Sequence, residues 1–509
     1  MAGEASSPTP VAARPPLLPY GFARAHGVLV AEEEDEGVLA CLHRPGASLA
    51  ALLEVQRLHG GGLPWRALDA EAFERALQAH YRESAIDSAD IAAEADVDLA
   101  ALADSAASVE DLLDGADDSP VVRLINALLL EAVKENASDV HVETQERRLI
   151  VRFRVDGVLR DVIEPNRALA PLLVSRIKVM ARLDIAEKRV PQDGRVTVRV
   201  GGHEIDVRVS TIPTQHGERV VMRLLDRGNV QLDLGTLGMS GRDLNLFQRL
   251  LERPHGMLLV TGPTGSGKTT SLYAALSRLN DRRRNILTVE DPIEYELPGV
   301  GQTQVNTRTD LSFARGLRAI LRQDPDVIMV GEIRDHETAE VAVRAAMTGH
   351  FMLSTLHTNS AVGSVTRLVD MGVERYLLAP MLVGLVAQRL VRRLCPACRR
   401  PDAADARDVA LLDGAIAAGE HVCRPVGCPA CRGEGFRGRM GLYEVVAIDP
   451  AMAALIHDGA SEAALTAAAR AAGPSLLDDG LAKLRAGETT VEEVARVTRD
   501  DMGHHGGAG

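Results

Sequence analysis

The run Gly262-Pro263-Thr264-Gly265-Ser266-Gly267-Lys268-Thr269 follows four apolar residues, Met257 to Val260, and leads through Thr270 into SLYAAL. An apolar strand, a GxxxxGK[ST] loop and a helix, in that order, form the arrangement that cradles phosphates. Glycines let backbone N–H groups turn inward towards phosphate oxygens, and the helix N-terminus adds its dipole. Lys268 would supply a point charge to the β- and γ-phosphates, and Thr269 a hydroxyl to Mg2+. The expectation is a nucleotide site spanning Gly262 to Thr270.

Three further stretches carry groups suited to the same chemistry. DVIMVGEIRD reads as a strand beside the P-loop strand, ending in Gly331-Glu332. The position that ordinarily holds a metal-binding Asp is Gly331, which leaves Glu332 to orient or activate an attacking water. NILTVEDPIEYEL delivers Glu290, Asp291 and Glu294 at the C-terminal end of another strand, where an open α/β sheet binds ligands. They are candidate carboxylates for the metal; an ordinary strand-end turn is the plain alternative. GHFMLSTLHTN brings His350, Thr355 and His357, with His357 as a γ-phosphate sensor or polar link, or else a structural histidine. Arg315, Arg318 and Arg322 fall at helical spacing on one face, as a solvated basic surface or an intersubunit phosphate contact.

Two later runs, Cys395-Pro396-Ala397-Cys398 and Cys428-Pro429-Ala430-Cys431, are separated by residues 399–427. In isolation CxxC allows metal binding, redox chemistry or a grip on nucleic acid. A redox CxxC usually acts as one pair at a helix start. Two pairs beside basic residues favour a tetracysteine zinc site of Cys395, Cys398, Cys428 and Cys431. Cys423 lies inside the intervening loop, as a competitor for metal or a spectator, and Cys41 is expected in a core.

The frame that must position these groups is large. A chain of 509 residues exceeds one ordinary core, so three or four domains are expected. A formal net charge of −14 argues against wholesale nucleic-acid binding, and 3% aromatics leave few stacking platforms. Six cysteines in this length are no disulfide scaffold. MAGEASSPTPVAARPPLLPYG lacks the apolar core of a secretory signal. YLLAPMLVGLVAQRL, interrupted by Pro380 and Arg389, falls short of the roughly 20 apolar residues of a membrane span.

Residues 1–16 read as a disordered tail rich in Pro, Ser and Ala. Residues 17–84 read as a small domain: two strands around an acidic turn, then an amphipathic helix over DAEAFERALQAHYRE. Residues 85–119, rich in Ala and Asp, read as a flexible acidic linker. Residues 120–230 form an α+β domain with hairpins about Asp156-Gly157 and Gly201-Gly202. Its strand-borne arginines, Arg152, Arg154, Arg195, Arg199 and Arg208, read as a solvated face. Residues 231–394 alternate strand and helix, as in an α/β parallel sheet. Residues 395–440 hold the cysteine insert, and 441–509 read as helical with a frayed GHHGGAG end.

GPTGSGKTT, TVEDPIE, DVIMVGEIRD and GHFMLSTLHTN resemble, in order, the Walker A, Asp box, Walker B and His box of the type II/IV secretion traffic ATPases. The Gly331 departure is shared by that family. ASDVHVE and VRFRVDGVL resemble its preceding, PAS-like domain. LPYGFARAHGVLV and VPQDGR point to the type II secretion branch (GspE), and the CPAC pairs match its tetracysteine insert. The resemblance covers about Leu17 to Asp500. It implies a RecA-like P-loop ATPase domain with ATP, Mg2+ and Zn2+, working as a homo-hexamer on the cytoplasmic face of the inner membrane. It implies that ATP sits between the P-loop domain and the domain before it, with Arg195 and Arg208 reaching the γ-phosphate. It implies that residues 17–84 bind the cytoplasmic domain of an inner-membrane protein (GspL-like), beside a platform protein (GspF-like). The work would be that of a translocase-class ATPase driving pseudopilus assembly and export of folded proteins. A type IV pilus assembly ATPase is the nearest alternative. A DNA motor with a zinc module and a non-hydrolysing scaffold are the others. Charge argues against the first of these two, and retention of Lys268 and Glu332 against the second.

Overall fold

The computed structural model describes residues 120–502 apart from 201–202, 227–232 and 240, together with 18, 26–32, 39–58, 63–69, 72–73 and 76. The expected tail 1–16, the linker 85–119, the GHHGGAG end, and most of the acidic turn and of the helix after it lie outside these residues. The chain divides into two units, 1–228 and 229–509.

In the first unit, β1 (Val28–Glu32) pairs antiparallel with β2 (Leu39–His43), which pairs parallel with β3 (Trp65–Ala67). Leu52 and Val55 of the helix Leu49–Leu58 pack with Val28, Val30 and Cys41, so Cys41 is a core residue. A second sheet is built from β4 (Ala137–Thr144), β5 (Leu149–Val155), β6 (Val158–Ile163), β7 (Gln192–Val200), β8 (His203–Thr214) and β9 (Gly217–Asp226). Its order is β6-β5-β4-β9-β8-β7, with antiparallel neighbours throughout. Asp156 and Gly157 both adopt positive φ, as a two-residue hairpin matched to right-handed strand twist requires.

Strand β4 shows how the period-two pattern is used. Val140 and Val142 are buried in a core that includes Leu124 and Leu128 of helix Pro120–Lys134 and Leu173 and Ile177 of helix Ala170–Met180. The alternate residues Asp139, His141 and Glu143 take the other face. Glu143 pairs with Arg152 at 2.5 Å and Arg219 at 2.7 Å, and Asp139 with Arg223 at 2.9 Å and Arg154 at 3.6 Å. The expectation of a merely solvated arginine face is therefore corrected for Arg152 and Arg154. Each neutralises a buried carboxylate that would be costly alone.

The second unit holds a seven-stranded sheet of order β12-β11-β13-β14-β10-β15-β18. Its strands are β10 (Gly256–Thr261), β11 (Ile286–Glu290), β12 (Gly301–Gln304), β13 (Val327–Val330), β14 (Phe351–Leu356), β15 (Leu382–Leu394) and β18 (Phe436–Ala447). Between the last two lies the small hairpin of β16 (Arg400–Ala403) and β17 (His421–Arg424). All pairings from β12 to β15 are parallel, and β18 closes the edge antiparallel. Every residue of β10, β13 and β14 is buried, as both-sided burial of parallel strands demands. Met257 and Leu259 join one core and Leu258 and Val260 another, so helices cover both faces. Each such side chain contributes about 1.5–3 kcal/mol by leaving water.

Three sequence expectations change here. The strand carrying Gly331-Glu332 is not beside the P-loop strand: β14 lies between β13 and β10. The chain beyond Gly441 is not helical at once, because β18 continues to Ala447 and its helices begin at Pro450. Arg322 lies past the helix Phe313–Ile320, where it donates to the Arg318 carbonyl, while Arg315 pairs with Asp310 and Arg318 with Glu337. Ser312 caps that helix through the Arg315 amide. YLLAPMLVGLVAQRL is helix Arg375–Met381 followed by most of β15, and no helix among the described residues is long and apolar enough to cross a membrane.

Candidate active site

The C-terminal ends of β11, β13, β14 and β10 stand side by side, and each ends in one of the expected motifs. From β10 the chain turns through Gly262 and the exposed Pro263, Thr264 and Gly265 to buried Ser266. Gly267 then caps the helix Lys268–Leu279 with φ 87°. Gly262 has φ 149°, and a Cβ there would lie 2.4 Å from the Gln388 carbonyl oxygen; one at Gly267 would lie 2.8 Å from Gln388 Nε2. Neither position admits a side chain, so the loop backbone stays open as a cradle. Ser266 Oγ is buried with no hydrogen-bond partner among the described residues, and Lys268 Nζ donates to the carbonyls of Gly262 and Pro263 at 2.8 and 3.0 Å. A waiting hydroxyl and an ammonium resting on its own loop fit a phosphate chain. Thr269 is exposed at the helix start and Thr270 half-buried.

Burial pushes Lys268 down to about 8, while the Glu332 charge pulls it up and Arg389 pushes it further down. Glu332 follows β13, pairs with Arg334, and has His357 Nε2 3.4 Å from its Oε2. Thr355 donates to the Gly331 carbonyl at 2.7 Å and so locks β14 to the loop that bears Glu332. His350, by contrast, sits at the other end of β14, where its ring bonds the Ala345 carbonyl as part of a helix end. The carboxylates divide. Glu290 is 2% exposed and accepts from Tyr273, from Thr288 at 2.6 Å and from Gln302 at 3.0 Å. Asp291 is exposed, helps to hold the Arg334 proton together with Glu332, and lines an open cleft with Gln304, Asn306 and Arg308. Glu294 is half-buried. Thr269, Asp291 and Glu294 offer hard oxygen donors of the kind that Mg2+ prefers.

Arg195 and Arg208 belong to the first unit, where they are Cα partners across β7 and β8; Arg208 also faces Arg223 across β8 and β9.

Several groups were not singled out in the sequence. Arg389, from β15, is buried beside Gly262 and donates to the Asn359 carbonyl at 2.6 Å. Thr261 Oγ1 meets Thr358 Oγ1 at 2.6 Å, so the loop after His357 is tied to the strand that feeds the P-loop. Tyr273, four residues beyond Thr269, holds Glu290. No short motif marks these residues; their only signal is a polar group inside an apolar run.

The four predicted cysteines converge. Cys395, Cys398, Cys428 and Cys431 have Sγ atoms within 4.8 Å of one another, with neighbouring pairs at 3.7–3.9 Å. Four thiolates about 2.3 Å from a tetrahedral zinc stand about 3.8 Å apart. The amides of Cys428 and Gly435 both donate to Cys431 Sγ at 3.2 Å, which favours its thiolate. The set therefore fits zinc. Cys423 lies on β17, buried and outside the cluster.

A family profile described as Type II/IV secretion system protein matches residues 114–496, and one describing an N-terminal domain of GSPII protein E matches residues 17–81. The chain is 59% identical over 492 residues to Type II secretion system protein E of Pseudomonas aeruginosa, covering 96% of this chain and 98% of that one. The chain belongs to the type II secretion system protein E family. It is 53% identical to Type II secretion system ATPase E of Vibrio cholerae, over 95% of this chain and 97% of that one. The crystal structure of the pilus retraction motor PilT with bound ADP aligns with TM-score 0.52 and 26% identity, over 74% of this chain and 98% of that one. The fold is thus that of the P-loop secretion ATPases, and the protein is a type II secretion ATPase. The pilus-assembly alternative falls with the match to the type II N-terminal domain.

Proposed function

We propose that this family member hydrolyses ATP by in-line attack of water at the C-terminal edge of the parallel sheet. Lys268 and the amides of Gly262 to Thr270 hold the phosphates. Glu332, placed against His357 and Arg334, orients the water. His357 reports the γ-phosphate to Glu332. Thr269, with Asp291 and Glu294, would hold Mg2+, which when bound offsets charge on the phosphate oxygens. Glu290 supports this set from behind. Arg195 and Arg208, a like-charged pair on adjacent strands, close the site from the preceding domain and stabilise transition-state charge.

The wider reading follows the family. A homo-hexamer sits at the cytoplasmic face of the inner membrane, held there by residues 17–84 on a GspL-like cytoplasmic domain and set against a GspF-like platform protein. Residues 120–230 are the arginine-bearing domain, and 231–394 together with β18 the ATPase domain, whose sheet carries the zinc insert between β15 and β18 and the C-terminal helices from Pro450 on. Hydrolysis drives pseudopilus assembly, as a protein-secreting translocase, and zinc braces the insert.

The observation that carries the catalytic reading is the convergence of Lys268, Glu332 and His357 from three strand ends. Glu332→Gln is expected to lower kcat at least about 100-fold with nucleotide affinity retained. A wild-type kcat in that variant sinks the assignment.

A further inference from the structure

Tyr273 is fully buried on the P-loop helix and its hydroxyl is saturated. It donates its proton to Glu290 Oε2, and its oxygen accepts the Glu294 amide at 3.3 Å and Gln302 Nε2 at 3.4 Å. A phenol has one proton and two lone pairs, so all its capacity is used. Glu290 and Glu294 bound the segment that carries Asp291. One phenol oxygen therefore bonds both ends of that segment, at the Glu290 carboxylate and at the Glu294 amide.

Glu290 itself is an unusual carboxylate. The buried acids on β4 are each paired with arginines, whereas Glu290 has neutral donors, Tyr273, Thr288 and Gln302, and no ion pair among the described residues. Such an arrangement is stable only when both carboxylate oxygens are hydrogen-bonded, as they are here, Oε2 by Tyr273 and Oε1 by Thr288 and Gln302. Thr269 and Tyr273 are four residues apart on one helix, hence on one face a single turn apart.

We propose that Tyr273 is a positioning residue: it pegs the Asp291-bearing segment, through Glu290 and the Glu294 amide, to the helix turn that presents Thr269. Glu290 is then the anchor of that peg and not a metal ligand. Asp291 and the Thr269 hydroxyl are held at a set distance before nucleotide arrives. This rests on the reading of Thr269 and Asp291 as the magnesium-holding groups.

The test is Mn2+ affinity of the ADP-bound full chain, read by electron paramagnetic resonance, beside ADP affinity in EDTA. Tyr273→Phe removes one oxygen and leaves no cavity. It is expected to weaken Mn2+ about tenfold, the usual cost of losing a group that orients a ligand. ADP affinity in EDTA should stay within about twofold. Tyr273→Phe combined with Glu290→Gln should weaken Mn2+ no further than Glu290→Gln alone, since both cut one peg. Additive losses would make Glu290 an independent ligand and overturn the proposal, as would unchanged Mn2+ affinity in Tyr273→Phe when Thr269→Ala weakens it. Unchanged affinity in Thr269→Ala would instead sink the reading of the site. If Tyr273→Phe does not fold, Gln302→Leu strips donors from the same peg and is read by the same titration, with the same two outcomes.

Discussion

The nucleotide site and the cysteine staple are both built from motifs plain in the sequence, but they are held in different ways. The staple closes on itself. Cys398 and Cys431 amides donate to the carbonyls of Cys395 and Cys428, three residues back, and the Cys395 amide donates to the Gly435 carbonyl. Its outside support includes Arg399 on the Gly487 carbonyl, Arg393 on Glu488, and the packing of Leu412, Ile416 and Val422 against Leu484 and Val494 of the C-terminal helices. The nucleotide site closes through the sheet. Its parts run from Thr261 to Arg389, and Thr261, Thr355 and Arg389 are each locked by a partner on another strand or loop. Damage to the staple should stay near the insert, whereas damage to the sheet edge should reach the chemistry.

The strongest challenge to that contrast is Lys268→Ala. It is expected to lower ATPase activity about 1000-fold while zinc content, measured by atomic absorption, remains at wild type. Loss of zinc in that variant would join the two regions. Cys395→Ser tests the reverse direction. Zinc should be lost and Tm should fall by about 5–10 °C, while ADP affinity stays within about threefold. A large loss of ADP affinity would show that the staple braces the sheet.

A subtler test uses pH. The Lys268 amine is depressed from 10.5 to about 8 in the folded protein. Between these values the unfolded chain binds the proton and the folded chain does not, so nucleotide-free stability should rise across pH 8 to 10.5 from this group. Phosphate needs the charged amine, so nucleotide affinity should fall above pH about 8, by at most about tenfold per pH unit. Calorimetric titration of ADP checks this, and Lys268→Arg should flatten the profile. The smallest expected effect is that of Cys423→Ser, which should leave zinc unchanged and cost about 1 kcal/mol in a urea melt. Loss of zinc there would place Cys423 in the cluster.

Legibility in the sequence follows the same division. The P-loop was readable because one local pattern, apolar strand, glycines and Lys268, determines the backbone path. The hairpin at Asp156-Gly157 was readable because positive φ at two successive residues has few other causes. The insertion of β14 between β13 and β10 was not, because nothing in Val327–Val330 says which strand it will meet. Nor was the divergence of Glu290 from Asp291. The two are adjacent, and their fates part because Glu290 is the last residue of β11 and meets Tyr273, whereas Asp291 lies just past the strand and is exposed.

Residue type and spacing therefore settled the chemistry available: a phosphate loop, carboxylates at a strand end, and four cysteines in two knuckles. These are properties of a few consecutive residues, governed by local sterics and hydrogen bonding. The tertiary structure settled which groups meet. It sets His357 against Glu332, lays Arg389 under Gly262, and buries Glu290 behind Asp291. Those choices depend on strand order and on which face of a packed helix meets which strand. Both are decided by burying apolar surface across the whole sheet, and no short stretch of sequence carries that information.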